Sequence, residues 1–228
     1  MDSFATLTQA RPSQPVQISI GPVVLDGDLT VPEALRGVVL FAHGSGSSRH
    51  SPRNKYVAQI LQEDGFATLL MDLLTRDEEA VDNTTRHLRF DIDLLAQRLV
   101  GATDWLLQNP ITQKLPIGYF GASTGAAAAL VAAAERPDRV AAVVSRGGRP
   151  DLAGEALPRV QAPTLLIVGG NDWPVIPLNE QALAQLRIQD KRLEIVPGAT
   201  HLFEEPGALE EVARLASDWF VRYLTVPT

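Results

Sequence analysis

Gly121-Ala122-Ser123-Thr124-Gly125 is the segment of this sequence best suited to chemistry, a serine hydroxyl between glycines. It lies between an apolar run of strand length, 115–120, and an alanine-rich run, 126–134, that favours helix. That context predicts a tight strand-to-helix turn with Ser123 exposed at its apex as a nucleophile. So sharp a turn forces the serine into a sparsely allowed backbone region and leaves no room for side chains at Gly121 and Gly125. The N-terminus of the following helix directs unpaired N–H groups and partial positive charge at the same point.

A serine hydroxyl is a weak nucleophile at neutral pH, so it requires a base within reach and a third group to orient that base. The chain has four histidines. His50 and His87 sit in polar sequence, whereas His43 and His201 each follow an apolar run. His201 comes after the last such run, in a turn able to fold back over a sheet edge, and is the expected base. His43 opens His43-Gly44-Ser45-Gly46, a loop of the kind that supplies main-chain donors to an oxyanion hole. The expected donors are the amides of Ser45 and Thr124. Asp172 ends the run 163–168 and its Gly169-Gly170-Asn171 exit, and completes the order Ser, Asp, His. Asp151 is the alternative acid, placed several residues further into its own loop.

Arg49, Arg53, Arg146 and Arg149 fall in loops on the same side. A guanidinium fork suits a substrate carboxylate or phosphate, and the competing expectation is pairing with the acids of 72–82 or with loop carbonyls. His43 and Trp173, the neighbour of Asp172, join Arg49, Arg53 and Arg146 as candidate substrate contacts. Neither H-x-x-x-H nor H-E-x-x-H occurs, so metal catalysis has no support and no cofactor is expected.

The elements that must position these residues follow from periodicity. Segments 16–20 and 23–31 alternate around Gly21-Pro22 as an edge hairpin. Continuous apolar runs at 37–42, 66–71, 140–144 and 163–168, with 192–196, read as strands. Helical spacing covers 54–64, stopped by Gly65, then 88–107, 178–186 and 208–224. The acidic segment 72–85 reads as a loop overhanging the site. Strands alternating with helices predict an α/β protein, a mostly parallel sheet with helices on both faces and chemistry at the strand C-terminal ends.

Gly121-Ala-Ser123-Thr-Gly125, His43-Gly-Ser-Gly46, Asp172 and His201 together resemble the α/β-hydrolase superfamily, and within it the dienelactone hydrolase-like branch, from about Val16 onward. The resemblance implies an eight-stranded sheet with an antiparallel first hairpin and a Ser123-His201-Asp172 triad. True dienelactone hydrolases use a cysteine nucleophile where this chain has Ser123, which sets it apart from the dienelactone substrate itself. Only 145–162 is available for a lid, so no large cap is expected. The implied activity is hydrolysis of small esters or lactones, with acyl transfer, peptide hydrolysis or a catalytically weak binding role as alternatives on the same fold.

With 228 residues, 45% of them hydrophobic, one domain spanning 1–228 is expected, with 1–15 a flexible leader. A net charge of −7 argues against nucleic-acid and anionic-membrane partners. The absence of cysteine removes disulfides and thiolate chemistry. No secretory signal or spanning segment is legible, so a cytoplasmic protein acting on a small molecule is expected.

Overall fold

A computed structural model describes residues 12–224. Strands β1 (Gln14–Ile20) and β2 (Val23–Thr30) form the expected hairpin, turning at Gly21 with φ +56°. The remaining strands are β3 (Gly37–Ala42), β4 (Phe66–Met71), β5 (Ile117–Ala122), β6 (Val140–Arg146), β7 (Thr164–Gly169) and β8 (Lys191–Val196). They make one eight-stranded sheet in the order β1-β2-β4-β3-β5-β6-β7-β8. β2 is antiparallel to both neighbours, and every pair beyond β4 is parallel. β3, β4, β5 and β7 are buried along their whole length, which is why they read as unbroken apolar runs.

Helices α1 (Pro52–Glu63) and α6 (Ala208–Tyr223) cover one face, packing Val57, Leu61, Val212 and Phe220 against Phe41 and Phe120. The other face is covered by α3 (Ile92–Gln108), α4 (Thr124–Glu135) and α5 (Ile176–Gln185), with Leu99, Leu130 and Ala182 among its buried side chains. Each fully buried side chain of Leu or Phe size contributes about 1.5–3 kcal/mol of transfer free energy. All of Thr124 to Ala134 is buried, because small side chains let α4 lie close on the sheet. The position of Ser123 is therefore set by a helix buried along nearly its whole length.

Three boundaries differ from expectation for physical reasons. Segment 72–85 is not a loop throughout, since α2 (Arg76–Thr85) occupies most of it. Thr75 and Glu78 form a reciprocal capping box at its start, but its one buried residue is Asp82, so it has no apolar stripe to reveal it. The helix expected from 88 is broken by a 3-10 turn, Leu88–Phe90, after which the Asp91 side chain accepts the Leu94 amide at 3.0 Å and caps α3. Of the expected leader, Gln14 and Pro15 already pair with Leu29 and Asp28, and 1–11 lie outside the described residues.

The connection between β6 and β7 contains a ten-residue 3-10 segment, Pro150–Arg159, and no cap domain covers the strand ends among the described residues. No helix among the described residues is long and apolar enough to cross a membrane.

Candidate active site

Ser123 leaves β5 with φ +51° and ψ −121°, a region that side-chain-bearing residues rarely occupy. Its main chain is clamped by the exit of β6. The Ser123 amide donates to the Arg146 carbonyl at 3.2 Å, and the Arg149 amide donates to the Ser123 carbonyl at 3.1 Å. A Cβ on Gly121 would lie 2.5 Å from Ala126 Cα, so this glycine lets the turn close on itself. The requirement at Gly125 differs from the expected collision across the turn: a Cβ there would lie 2.3 Å from the Ala42 carbonyl oxygen and 2.5 Å from that of His43. Gly125 thus seats the first turn of α4 against the end of β3. The Ser123 side chain does not cap its own helix, and its hydroxyl makes no hydrogen bond among the described residues.

His201 and Asp172 meet at 2.7 Å, Nδ1 to Oδ2. Their loops leave the neighbouring strands β8 and β7 and are joined along their backbones, Gly170 N–H to the Val196 carbonyl at 2.8 Å and Asn171 N–H to the Ala199 carbonyl at 2.9 Å. An acceptor at Nδ1 selects the tautomer that carries its hydrogen there, which leaves the Nε2 lone pair available as a base. The Asp172 side chain is 9% exposed and that of His201 38%, so the acid is dry while the imidazole edge reaches solvent. A Cβ on Gly147 would lie 3.0 Å from the His201 carbonyl oxygen. The stretch 146–149 therefore supports both the serine turn and the histidine loop. Asp151 is engaged elsewhere, bonded by both oxygens to Arg149 at 2.9 and 2.8 Å.

The two amides expected to serve an oxyanion are not equivalent. That of Ser45 already donates to Thr124 Oγ1 at 2.9 Å, whereas that of Thr124, first in α4, has no acceptor among the described residues. Gly44 lies against Ser123, where a Cβ on it would stand only 3.0 Å from Ser123 Cβ.

His43 ties two loops together. Its Nδ1 meets the Gly44 carbonyl at 2.9 Å and its Nε2 accepts the Leu73 amide at 3.1 Å. Burial lowers its pKa below the ordinary 6.5, favouring the neutral ring. His50 and His87 are exposed and outside this arrangement.

The arginines divide. Arg49 pairs with Asp72 and, at 3.4 Å, with Asp28. Arg53 meets Glu204 at 3.0 Å. Arg146 is 7% exposed and has no carboxylate partner among the described residues; its Nη2 is 3.4 Å from Asn54 Oδ1, and its Cζ is 6.0 Å from the Phe203 ring centroid. Burial, with Arg53 nearby, lowers its pKa to about 10. Trp173 is 72% exposed.

A cavity opens beside this arrangement, with Gly44, Ser45 and Thr124 on one side and Leu74, Glu79 and Arg89 on the other. The second wall comes from α2 and the turn after it, which periodicity does not reveal. The one legible signal for it is the Thr75-x-x-Glu78 capping pattern.

Residues 25–225 match the model of the dienelactone hydrolase family. The crystal structure of a dienelactone hydrolase from Anabaena variabilis is 67% identical, with a TM-score of 0.92 over 94% of this chain and 99% of that one. An α/β serine hydrolase without lid from Xanthomonas campestris is 22% identical, with a TM-score of 0.74 over 95% of this chain and 97% of its own, a likeness of fold alone. A protein of Mycobacterium tuberculosis that carries the provisional name phosphoribosyl transferase is 62% identical over 213 residues, 93% of this chain but 47% of its own length. The chain thus spans about half the length of that curated relative.

Proposed function

The chain belongs to the dienelactone hydrolase family of α/β-hydrolases, and from that premise we propose that it cleaves small carboxylic esters or lactones through an acyl-enzyme on Ser123. The observation that carries this reading is the Asp172–His201 hydrogen bond, which leaves a basic nitrogen on a loop supported by the same residues as the serine turn. Ser123 Oγ attacks the carbonyl carbon while His201 Nε2 takes its proton. Asp172 holds the imidazole by Nδ1–H and stabilises the imidazolium. The negative oxygen develops beside the Thr124 amide and the Ser45–Thr124 hydrogen bond, at the N-terminus of α4. The imidazolium returns its proton to the leaving alcohol, and water repeats the sequence to release the acid.

An uncapped site with a solvent-reaching His201 favours small substrates and water as the acceptor over acyl transfer to another molecule. Among the candidate contacts, Arg49, Arg53 and Arg149 are each matched by a carboxylate, so we assign any anionic substituent of the substrate to Arg146, with the Arg53 charge beside it. Exposed Trp173 offers an apolar lip beside the acid. The transferase name stays with the longer mycobacterial protein, because a serine, histidine and aspartate set serves acyl chemistry rather than displacement at a ribose carbon.

The test is labelling with a fluorophosphonate, the modified residue located by mass spectrometry, with turnover on esters graded by acyl length. Ser123 should carry the label, and Ser123→Ala should lose about three or more powers of ten in turnover with an unchanged melting temperature. Unlabelled native protein, or full turnover by the variant, overturns the reading.

A further inference from the structure

The Thr124 side chain occupies the Ser45 amide, one of the two main-chain donors expected for an oxyanion hole. Its Oγ1 accepts the Ser45 amide at 2.9 Å across 79 positions of sequence, and Thr124 is 3% exposed. A hydroxyl that accepts one hydrogen bond still has its own hydrogen to give. That hydrogen has no acceptor among the described residues, and Thr124 lines the cavity beside the serine turn together with Gly44 and Ser45. A nearly buried donor without an acceptor among the described residues is unusual, since buried polar groups are almost always matched. Accepting from the Ser45 amide also polarises the O–H bond and makes it a better donor.

We propose that the Thr124 hydroxyl is itself an oxyanion donor and that the Ser45 amide acts through it. As Ser123 Oγ bonds to the carbonyl carbon, the π pair moves onto the carbonyl oxygen, and that oxygen receives both the amide and the hydroxyl hydrogen of Thr124. No proton is transferred by Thr124, and when the leaving group departs the pair returns and both contacts relax. One residue next to the nucleophile thus supplies two donors, and the 43–48 loop contributes its dipole from one bond further away. This inference rests on the serine-hydrolase reading of the site. It explains how the amide of Ser45 can be occupied by Thr124 without being lost to catalysis.

The competing role is a tether holding the 43–48 loop to α4. Thr124→Val keeps shape and removes the hydroxyl, and Thr124→Ser restores it. If the hydroxyl touches the oxyanion, Thr124→Val should lower kcat about 10²- to 10³-fold with KM nearly unchanged. Affinity for a trifluoromethyl ketone, which forms a tetrahedral adduct on the serine, should fall in parallel, and Thr124→Ser should recover most of both. A valine variant with kcat within about threefold of native overturns the proposal, being far short of the loss expected for an oxyanion donor. So does one that loses activity through KM or melting temperature while its trifluoromethyl ketone affinity is unchanged. Fluorophosphonate labelling of the native enzyme runs alongside: an unlabelled native protein overturns the hydrolase reading and this proposal together, whereas a labelled native enzyme with an unimpaired valine variant overturns this proposal alone.

Discussion

Asp172 Oδ2 lies 2.7 Å from His201 Nδ1, although 29 positions separate the two residues in the chain. Adjacent parallel strands carry the loops, and backbone hydrogen bonds between those loops leave the pair little freedom to separate.

Asp172→Asn places an amide where the imidazole hydrogen needs a carboxylate, so the ring loses its tautomer and the imidazolium its stabilisation. Turnover should fall by roughly two to four powers of ten in steady-state kinetics. Asp151→Asn should stay near native turnover, because Asp151 answers Arg149. The reverse order would move the acid to the preceding loop.

Gly125→Ala tests the seating of α4. Its new Cβ would meet the carbonyl oxygens of Ala42 and His43 at 2.3 and 2.5 Å, backbone atoms with no flexible end to yield. Overpacking of this kind costs about 1–3 kcal/mol, equivalent to roughly 2–12 °C of melting temperature in a chain of this size. Turnover should fall as well, since the displaced elements carry Ser123 and the 43–48 loop. Native melting and native turnover together would show that the elbow tolerates separation from β3.

Arg146 is a buried cation without a carboxylate among the described residues, a costly arrangement that an anionic ligand would relieve. An ester bearing a carboxylate or phosphate should therefore show kcat/KM roughly ten- to a hundredfold above its neutral isostere, the worth of one charged hydrogen bond. Arg146→Gln should erase the preference and spare neutral esters. Arg53→Gln, at a more exposed site, repeats the test if the buried substitution disturbs folding. Equal kcat/KM for charged and neutral esters in the native enzyme would return both arginines to a purely structural role.

His43 makes stability depend on pH in a defined direction. Burial holds its folded pKa below 6.5, so between those values the unfolded chain binds more protons. The contribution is whole above about pH 6.5 and declines as pH falls toward the folded pKa. The melting temperature of the native protein should exceed that of His43→Gln most at neutral pH, and the gap should narrow on acidification. A gap that stays constant from about pH 7.5 to about pH 5, across the ordinary titration of histidine, would show that His43 protonates without penalty.

Elements with a local signal were legible in the chain alone. Continuous apolar runs specified the buried strands, the glycines around Ser123 specified the turn, and the order of serine, aspartate and histidine named the aspartate and histidine that the fold joins by a hydrogen bond. Local signal failed where helix formation rests on polar contacts: α2 is held by its capping box and by the Asp82–Arg89 pair, neither of which has a hydrophobic period. The sequence favoured Asp172 over Asp151, but which carboxylate meets His201 was decided by folding, because both follow strands and the outcome depends on which loop borders that of His201. Folding likewise matched Arg49, Arg53 and Arg149 to carboxylates and left Arg146 with none among the described residues. The bond between the Ser45 amide and the Thr124 hydroxyl belongs to the same class, for it joins residues far apart in the chain whose contact is created by packing α4 against the end of β3.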